Sequence, residues 1–314
     1  MKKFLGLLLF GCFLAVPAAA QTTNNPKPRQ NSSQGQSQAP QIHVQVNLEN
    51  VLFTVVDKKN RLVTNLTKDD FHVFENGKPE KILFFSRETN LPLRIGILID
   101  TSNSIRMRLQ FEQQAAIDFL YDTVRPEKDE AFVVGFDTEP VMAVNYTDNL
   151  DKLGKGIRSL QAGGGTGLYD AIYYACKEKM IYIPTPHPYL RRVLIVVSDG
   201  RDNFSEHSRD EALAMAQKAE ATIYTISTNW TGIRTGGDKV LEYLAKETGG
   251  RAFFPIQAND LSAEFKRIAS ELRSQYSLAY AITAHDGTFR KIKIKTDKKG
   301  LRVQAKAGYF APSS

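Results

Sequence analysis

The stretch Arg94-Ile-Gly-Ile-Leu-Ile-Asp100-Thr-Ser102-Asn-Ser104 constrains this chain more than any other. It is an apolar run that stops abruptly at a carboxylate and two hydroxyls, with Leu91-Pro92-Leu93 before it and a helical pattern after it. A run this short reads as a central parallel strand buried on both faces. Its polar end then lies at the carboxyl edge of the sheet, where open α/β sheets bind their ligands. A carboxylate and two hydroxyls are hard oxygen donors, suited to Mg²⁺ or Mn²⁺. Taken alone, Asp-x-Ser-x-Ser is also what a turn and an N-cap would present, for a helix opening at Ile105.

Two later stretches add to it. Gly163-Gly-Gly-Thr166-Gly167-Leu-Tyr-Asp170 places a threonine hydroxyl in a glycine-rich loop at a helix start, and Val193-Leu-Ile-Val-Val-Ser198-Asp199-Gly200 is a second buried-strand run ending in a carboxylate. The three pieces, in this order, resemble the metal-ion-dependent adhesion site of the von Willebrand factor type A domain, over about Leu91 to Ile256. The resemblance implies that Ser102 and Ser104 bind a metal through their hydroxyls and Asp100 mainly through water. It implies that Thr166 engages when a partner is bound, and that Asp199 is the opposing carboxylate, direct or through water. Few formal charges on the ion would leave it electrophilic, so that an acidic side chain of a protein partner completes its shell. Mg²⁺, or Mn²⁺, is the expected cofactor. Asp137 and Asp170 are nearby carboxylates by pattern, read here as a turn residue and a first-turn helix charge.

Strands and helices alternate around these motifs, which implies a doubly wound, mostly parallel sheet covered on both faces. Helices are expected over 105–124, 150–160, 167–181, 209–220 and 239–248, and strands over 131–137, 141–146, 192–198, 222–228 and 251–256. The pair joined by Thr138-Glu139-Pro140 is the one antiparallel hairpin, as in the type A fold. The two ends of the chain alternate with period two instead. Expected strands cover 42–48, 51–57, 62–66, 71–74 and 82–85 at one end, with Asn76-Gly77 as a strong hairpin signal. At the other end they cover 277–283, 289–295 and 301–309. Neither set closes a core alone, so the economical solution is one small antiparallel β-sandwich made from both ends, with the α/β domain inserted. The expected boundaries are 41–90 and 277–314 for the sandwich, 91–258 for the type A domain and 259–276 for a connecting helix. The polar, lysine-rich faces of these strands read as solvated faces with edge protection.

The leading residues, Met1-Lys-Lys through an apolar middle to Ala18-Ala19-Ala20, read as a secretory signal peptide cleaved before Gln21. Two alternatives are a retained anchor, for which the run is short, and a lipoprotein signal at Cys12. Residues 21–40 are Gln, Asn, Ser and Pro with almost nothing apolar, a flexible tether. The protein is therefore expected to be exported, to the periplasm, the cell surface or the medium, with no other membrane-spanning stretch. Asn31, Asn65, Asn145, Asn203 and Asn229 open Asn-x-Ser/Thr triplets, meaningful only in a host that glycosylates. The leading motif Val55-Val56-Asp57, Val63, Leu66, Asp70-Phe71, Val73 and Glu75-Asn76-Gly77, with the closing Tyr309, also resembles a bacterial group of exported proteins with a type A-related domain.

Composition narrows the function class. The chain has 314 residues, room for about two domains, and is 42% hydrophobic. Its net charge of +7 includes Lys2 and Lys3 of the signal, and no basic helix or aromatic-interleaved basic stripe points to nucleic acid. After cleavage Cys176 is the sole cysteine, so no intramolecular disulfide forms and a small buried hydrophobe is the expected role. The five histidines are scattered without metal-ligand spacing. The glycine loop lacks a Walker lysine, and no Gly-x-Ser-x-Gly or His-rich motif is present. The reading is a non-enzymatic, metal-dependent, adhesion-type protein-binding module with no catalytic residue. Two readings stand beside it: a structural module of a cell-envelope assembly with a vestigial metal site, and a metal-dependent hydrolase, which would need a charged metal cluster and a positioned base.

Overall fold

The centre of the molecule is the strand β5, Leu93–Asp100, every residue of which is buried. The computed structural model describes residues 47–181, 190–257 and 260–313. The proposed signal peptide, the tether and the expected strand start at Ile42 lie outside them. In chain order the strands are β1 (Leu48–Val56), β2 (Phe71–Glu75), β3 (Lys78–Glu80), β4 (Phe84–Glu88), β5, β6 (Glu130–Phe136), β7 (Pro140–Thr147), β8 (Arg191–Ser198), β9 (Ala221–Ser227), β10 (Ala252–Phe253), β11 (Gln275–Ala281), β12 (Phe289–Thr296), β13 (Arg302–Ala305) and β14 (Gly308–Phe310). The α-helices are α1 (Leu109–Thr123), α2 (Leu150–Ser159), α3 (Leu168–Tyr174), α4 (Arg209–Lys218), α5 (Gly236–Glu247) and α6 (Asp260–Leu272).

Six strands form one sheet in the order β10-β9-β8-β5-β6-β7, parallel except for β7, which runs antiparallel to β6. Alternate side chains go to opposite faces. Ile95, Ile97 and Ile99 of β5 join a core with Phe119 and Leu120 of α1, Leu153 of α2 and Phe265 of α6. Leu98, with Leu194 and Val196 of β8, packs against Ile172 of α3, Ala216 of α4 and Leu244 of α5. Gly96 lies on this second face, where a Cβ would collide with Phe132 and Leu194. The glycine in mid-strand is therefore a packing requirement.

The remaining strands make two four-stranded antiparallel sheets, β13-β1-β11-β4 and β14-β12-β2-β3. They share one core of Val51, Phe53, Phe71, Val73, Tyr276, Leu278 and Ile294, among others. The α/β region is thus inserted in a β-sandwich that draws β1–β4 from one end and β11–β14 from the other. The turn between β2 and β3 has Asn76 at φ 47° and Gly77 at φ 83°, the left-handed pair that a two-residue hairpin needs. Inside the sandwich the Glu75 carboxylate accepts hydrogen bonds from the hydroxyls of Tyr280 (3.0 Å) and Tyr309 (2.8 Å).

The structure moves several sequence-based boundaries. The helix expected from Ile105 begins at Leu109, because Asn103–Ile105 form a 3₁₀ turn first. The helix expected over 167–181 changes at Ala175–Met180 into a π-helical turn. The strand expected at 62–66 is reduced to a bridge between Val56 and Leu62. The strand expected over 301–309 is two strands in different sheets, β13 and β14. The helix expected to reach Tyr276 ends at Leu272, since Gln275 and Tyr276 already pair with β4. Cys176 is fully buried, and burial pushes its thiol up.

At the base of β5, the fully buried Asp129 fastens the parts together. Its carboxylate accepts from the Leu93 N–H (2.8 Å), from the Arg125 side chain (2.8 Å) and from Arg273 beyond α6 (2.6 Å). Burial works against its charge, yet these donors hold its carboxyl below the usual aspartate range. No helix among the described residues is long and apolar enough to cross a membrane.

Candidate metal centre

Register decides what meets at the carboxyl edge of the sheet. Ile99 of β5 pairs with Val197 of β8, and Asp100 with Phe136 of β6. Asp100 and Ser198 therefore leave the sheet side by side. Asp100 is fully buried; its Oδ1 accepts the Ser102 N–H at 2.9 Å, and its Oδ2 accepts the Ser198 hydroxyl at 2.7 Å. The same Ser198 oxygen accepts the Gly200 N–H at 3.1 Å. Burial pushes the Asp100 carboxyl up, the donors from Ser102 and Ser198 pull it back, and the charge of Asp199 adds to the rise.

Beyond the strand, Ser102 is buried and Ser104 exposed, with their hydroxyl oxygens 2.9 Å apart. The glycine-rich loop is laced to this turn: Gly163 N–H donates to the Thr101 carbonyl (2.7 Å) and Asn103 N–H to the Gly164 carbonyl (3.3 Å). Gly164 has φ +64°. Thr166 is buried, its N–H donating to Asn203 Oδ1 (2.8 Å) and its carbonyl accepting the N–H groups of Asn203 (3.0 Å) and Phe204 (3.2 Å). The third loop carries Asp199, whose Oδ1 accepts the Arg201 N–H at 3.0 Å. Its shape depends on Gly200, at φ +76°, and on Gly237 of α5, where a Cβ would collide with the Asp199 carbonyl.

The five residues singled out by sequence thus lie at the end of β5 and on three loops joined by hydrogen bonds at one edge of one sheet. Asp137 stays in its turn, its carboxylate accepting the N–H groups of Thr138 and Glu139 (3.4 Å for the second). Asp170 does more than charge a helix start. Its carboxylate accepts the N–H groups of Glu206 and His207 (2.9 Å each) and meets His207 Nδ1 at 2.7 Å, while the His207 ring stacks on Tyr173 at 3.7 Å between centroids. Burial opposes this, but the donors hold the Asp170 carboxyl below its ordinary range. Asp170 therefore fixes the segment that follows the Asp199 loop.

Sequence reasoning missed three residues. Ser198 was legible only as the last strand residue before Asp199, and Asn203 only as part of a glycosylation triplet. Glu112 looked like an ordinary helix residue; it is fully buried, with neither carboxylate oxygen hydrogen-bonded.

Two carboxylates and three hydroxyls, with no nitrogen or sulfur, form a donor set that fits a hard divalent cation. Among the described residues no group of three or more His, Cys, Asp and Glu is placed to hold a metal ion, so any ion here depends on the hydroxyls. The buried Asp100 has no ion pair with Lys, Arg or His among the described residues. Its charge calls for a cation that no side chain supplies.

The sequence profile of the von Willebrand factor type A domain matches residues 95–201. No match is found among curated proteins. Among solved structures, proximal thread matrix protein 1 from the mussel byssus, with a zinc-occupied MIDAS motif, superposes with a TM-score of 0.50 at 17% identity, over 62% of this chain and 50% of that one. The vWF domain of the type V pili tip protein Mfa5 from Porphyromonas gingivalis gives 0.48 at 16% identity, over 58% of this chain and 95% of that one. The D319A mutant of the PilB minor pilin from Streptococcus sanguinis gives 0.47 at 12% identity, over 58% of this chain and 62% of that one. This chain therefore spans less than two thirds of the pilin and of the byssus protein. The profile match falls on the strands and loops that build the site, and the strand order with its single antiparallel edge belongs to the same fold: the chain carries a von Willebrand factor type A domain.

Proposed function

We propose that this chain is an exported, non-enzymatic module that binds a protein partner through a divalent ion held by Asp100, Ser102, Ser104, Thr166 and Asp199. The observation that carries the reading is Asp100: a fully buried carboxylate with no cationic partner, beneath a pair of serine hydroxyls that reach the surface at Ser104. A bound Mg²⁺ or Mn²⁺ would supply a Lewis-acidic position for an acidic side chain of the partner. Ser102 and Ser104 offer neutral oxygens. Asp100, fixed by Ser102 N–H and Ser198, supplies charge from within, and Asp199 supplies it from the opposite side. Thr166, pinned by Asn203, presents a hydroxyl beside the partner's position. The byssus protein holds zinc in its site; the all-oxygen donors of this chain favour Mg²⁺ or Mn²⁺.

Export rests on the basic, apolar and Ala-x-Ala pattern of residues 1–20, which lie outside the described residues. For domain limits we take 91–258 as the metal-binding domain and 41–90 with 277–314 as the sandwich that carries it. The test is an array of acidic peptides paired with their Asn and Gln counterparts, probed in Mg²⁺ and in EDTA. Wild type should capture only acidic peptides and only in Mg²⁺, and Asp100→Ala should capture none. Equal capture by Asp100→Ala and wild type, in both buffers, refutes the reading.

A further inference from the structure

The exposed apolar side chains of this chain are unevenly placed. Among the described residues, Met107, Phe204, Ile233 and Ile256 are each more than half exposed. Each belongs to a different connection at the carboxyl edge of the six-stranded sheet, after β5, β8, β9 and β10 respectively. Phe111, also more than half exposed, lies in the first turn of α1. Single exposed apolar residues need no explanation, but a set gathered at the edge that carries a candidate site marks a surface for a partner. The sign of the nearby charge suits an acidic partner: Arg106 and Arg201 are exposed on the connections that carry Ser104 and Asp199.

Phe204 is the member of this set that is fastened to the site itself. Its N–H donates to the Thr166 carbonyl at 3.2 Å, and Oδ1 of the adjoining Asn203 accepts the Thr166 N–H at 2.8 Å. Its ring lies against Gly165, where a Cβ would collide with it. Gly164 has a positive φ and Gly165 does not, so the backbone does not demand glycine at 165; the ring does. One side of the ring is thus seated on the loop that carries Thr166, and the residue is still 56% exposed. An aromatic side chain already held in place offers apolar area to a partner at little further cost in ordering.

We propose that Phe204 is a specificity-determining residue of this surface, taking a large apolar side chain, aromatic or branched aliphatic, that stands beside the partner's acidic residue. The proposal rests on the metal-site reading given above and adds to it which acidic segments are chosen. Consecutive Cα atoms are about 3.8 Å apart, and the ring abuts the residue before Thr166, so the selected side chain belongs to a residue next to the acid or nearly so. An acid among small polar neighbours meets the ion alone. One with Phe or Leu beside it also covers the open side of the ring.

The test is capture of the full chain, in Mg²⁺, by immobilised peptides in which a central Asp is flanked by Phe, Leu or Ser, each paired with its Asn counterpart. Mn²⁺ binding is measured alongside. Wild type should prefer the Phe- and Leu-flanked Asp peptides over the Ser-flanked one by about tenfold, as a single apolar anchor does. Phe204→Ser should lose that preference while keeping its Mn²⁺ affinity, clear of the roughly tenfold loss that follows a disturbed site. Phe204→Leu, which keeps an apolar contact with Gly165, should retain a preference for apolar flanks and covers the case in which serine disturbs folding. Equal capture of Phe- and Ser-flanked peptides by wild type, an undiminished preference in Phe204→Ser, or loss of Mn²⁺ binding by both variants assigns the ring to loop structure and overturns the proposal. Wild-type Mn²⁺ binding in those cases leaves the metal-site reading standing. Mn²⁺ binding by wild type without capture of any acidic peptide refutes the acidic partner and the proposal together, and wild type without bound Mn²⁺ removes the metal-site reading and the proposal with it.

Discussion

Replacing Ser198 by alanine removes one oxygen from the floor of the candidate site and leaves every proposed ligand in place. That oxygen donates to Asp100 Oδ2 at 2.7 Å and accepts from Gly200 N–H at 3.1 Å, and the residue is fully buried. A hydrogen bond to a charged group contributes about 1.5–3 kcal/mol. Losing it should therefore lower stability by about 2 kcal/mol, or roughly 4–8 °C in melting temperature for a domain of this size. Asp100 would also lose one of the two contacts that orient it, so Mg²⁺ affinity should fall by about tenfold, the low end for outer-shell partners. Urea unfolding in EDTA gives the first number and calorimetric titration of Mg²⁺ the second. A stability change below about 0.5 kcal/mol, the range of a neutral surface substitution, together with unchanged metal affinity, would refute the claim that Ser198 fixes Asp100.

Gly237→Ala should shift the Asp199 loop, since its Cβ meets the backbone of Asp199, Gly200 and Arg201; the expected cost is about 1–3 kcal/mol of overpacking, and weaker Mg²⁺ binding in calorimetry checks it. Asp129 has its carboxyl held below the ordinary range in the folded state, so its contribution is complete above the unfolded value near about 3.9 and is lost as pH falls through the folded one. Asp129→Asn should cost roughly 3–5 kcal/mol at neutral pH by stranding Arg125 and Arg273, and the gap from wild type in urea midpoint should narrow below that value. Deleting residues 277–314 removes most of β11 and all of β12–β14, so β1 and β2 should become sensitive to protease; continued protection of β1 and β2 would contradict a shared sandwich core.

Much of the architecture could be read from the chain because its decisive strands are unusually plain. β5 and β8 are unbroken apolar runs that end in polar residues, and Asn76-Gly77 states its own turn. The partners of those strands were less visible, because what they do depends on register. Ser198 reaches Asp100 only because β5 and β8 pair in parallel with Ile99 beside Val197. Asp129 follows Arg125-Pro126 in what looks like an exposed turn, and it is buried because Arg273, far along the chain, packs onto it. Residues 301–309 alternate like one strand, yet the chain changes sheets after Ala305: Val303 pairs with Val55, and Tyr309 with Arg290. Glu112 was the least legible of all. Helical periodicity does not reveal that a charged position is fully buried with neither carboxylate oxygen hydrogen-bonded.

The most direct measurement of the central claim is a count of bound Mn²⁺ by electron paramagnetic resonance of the free ion, for wild type and for the double variant Ser102→Ala, Ser104→Ala. Ser104 is exposed and Ser102 lies just beyond the end of β5, and each replacement removes a single hydroxyl, so the fold should survive their removal. The account predicts one Mn²⁺ per wild-type chain, displaced by excess Mg²⁺, and none on the double variant at the same concentrations. Stoichiometric binding by both proteins, or by neither, would contradict it.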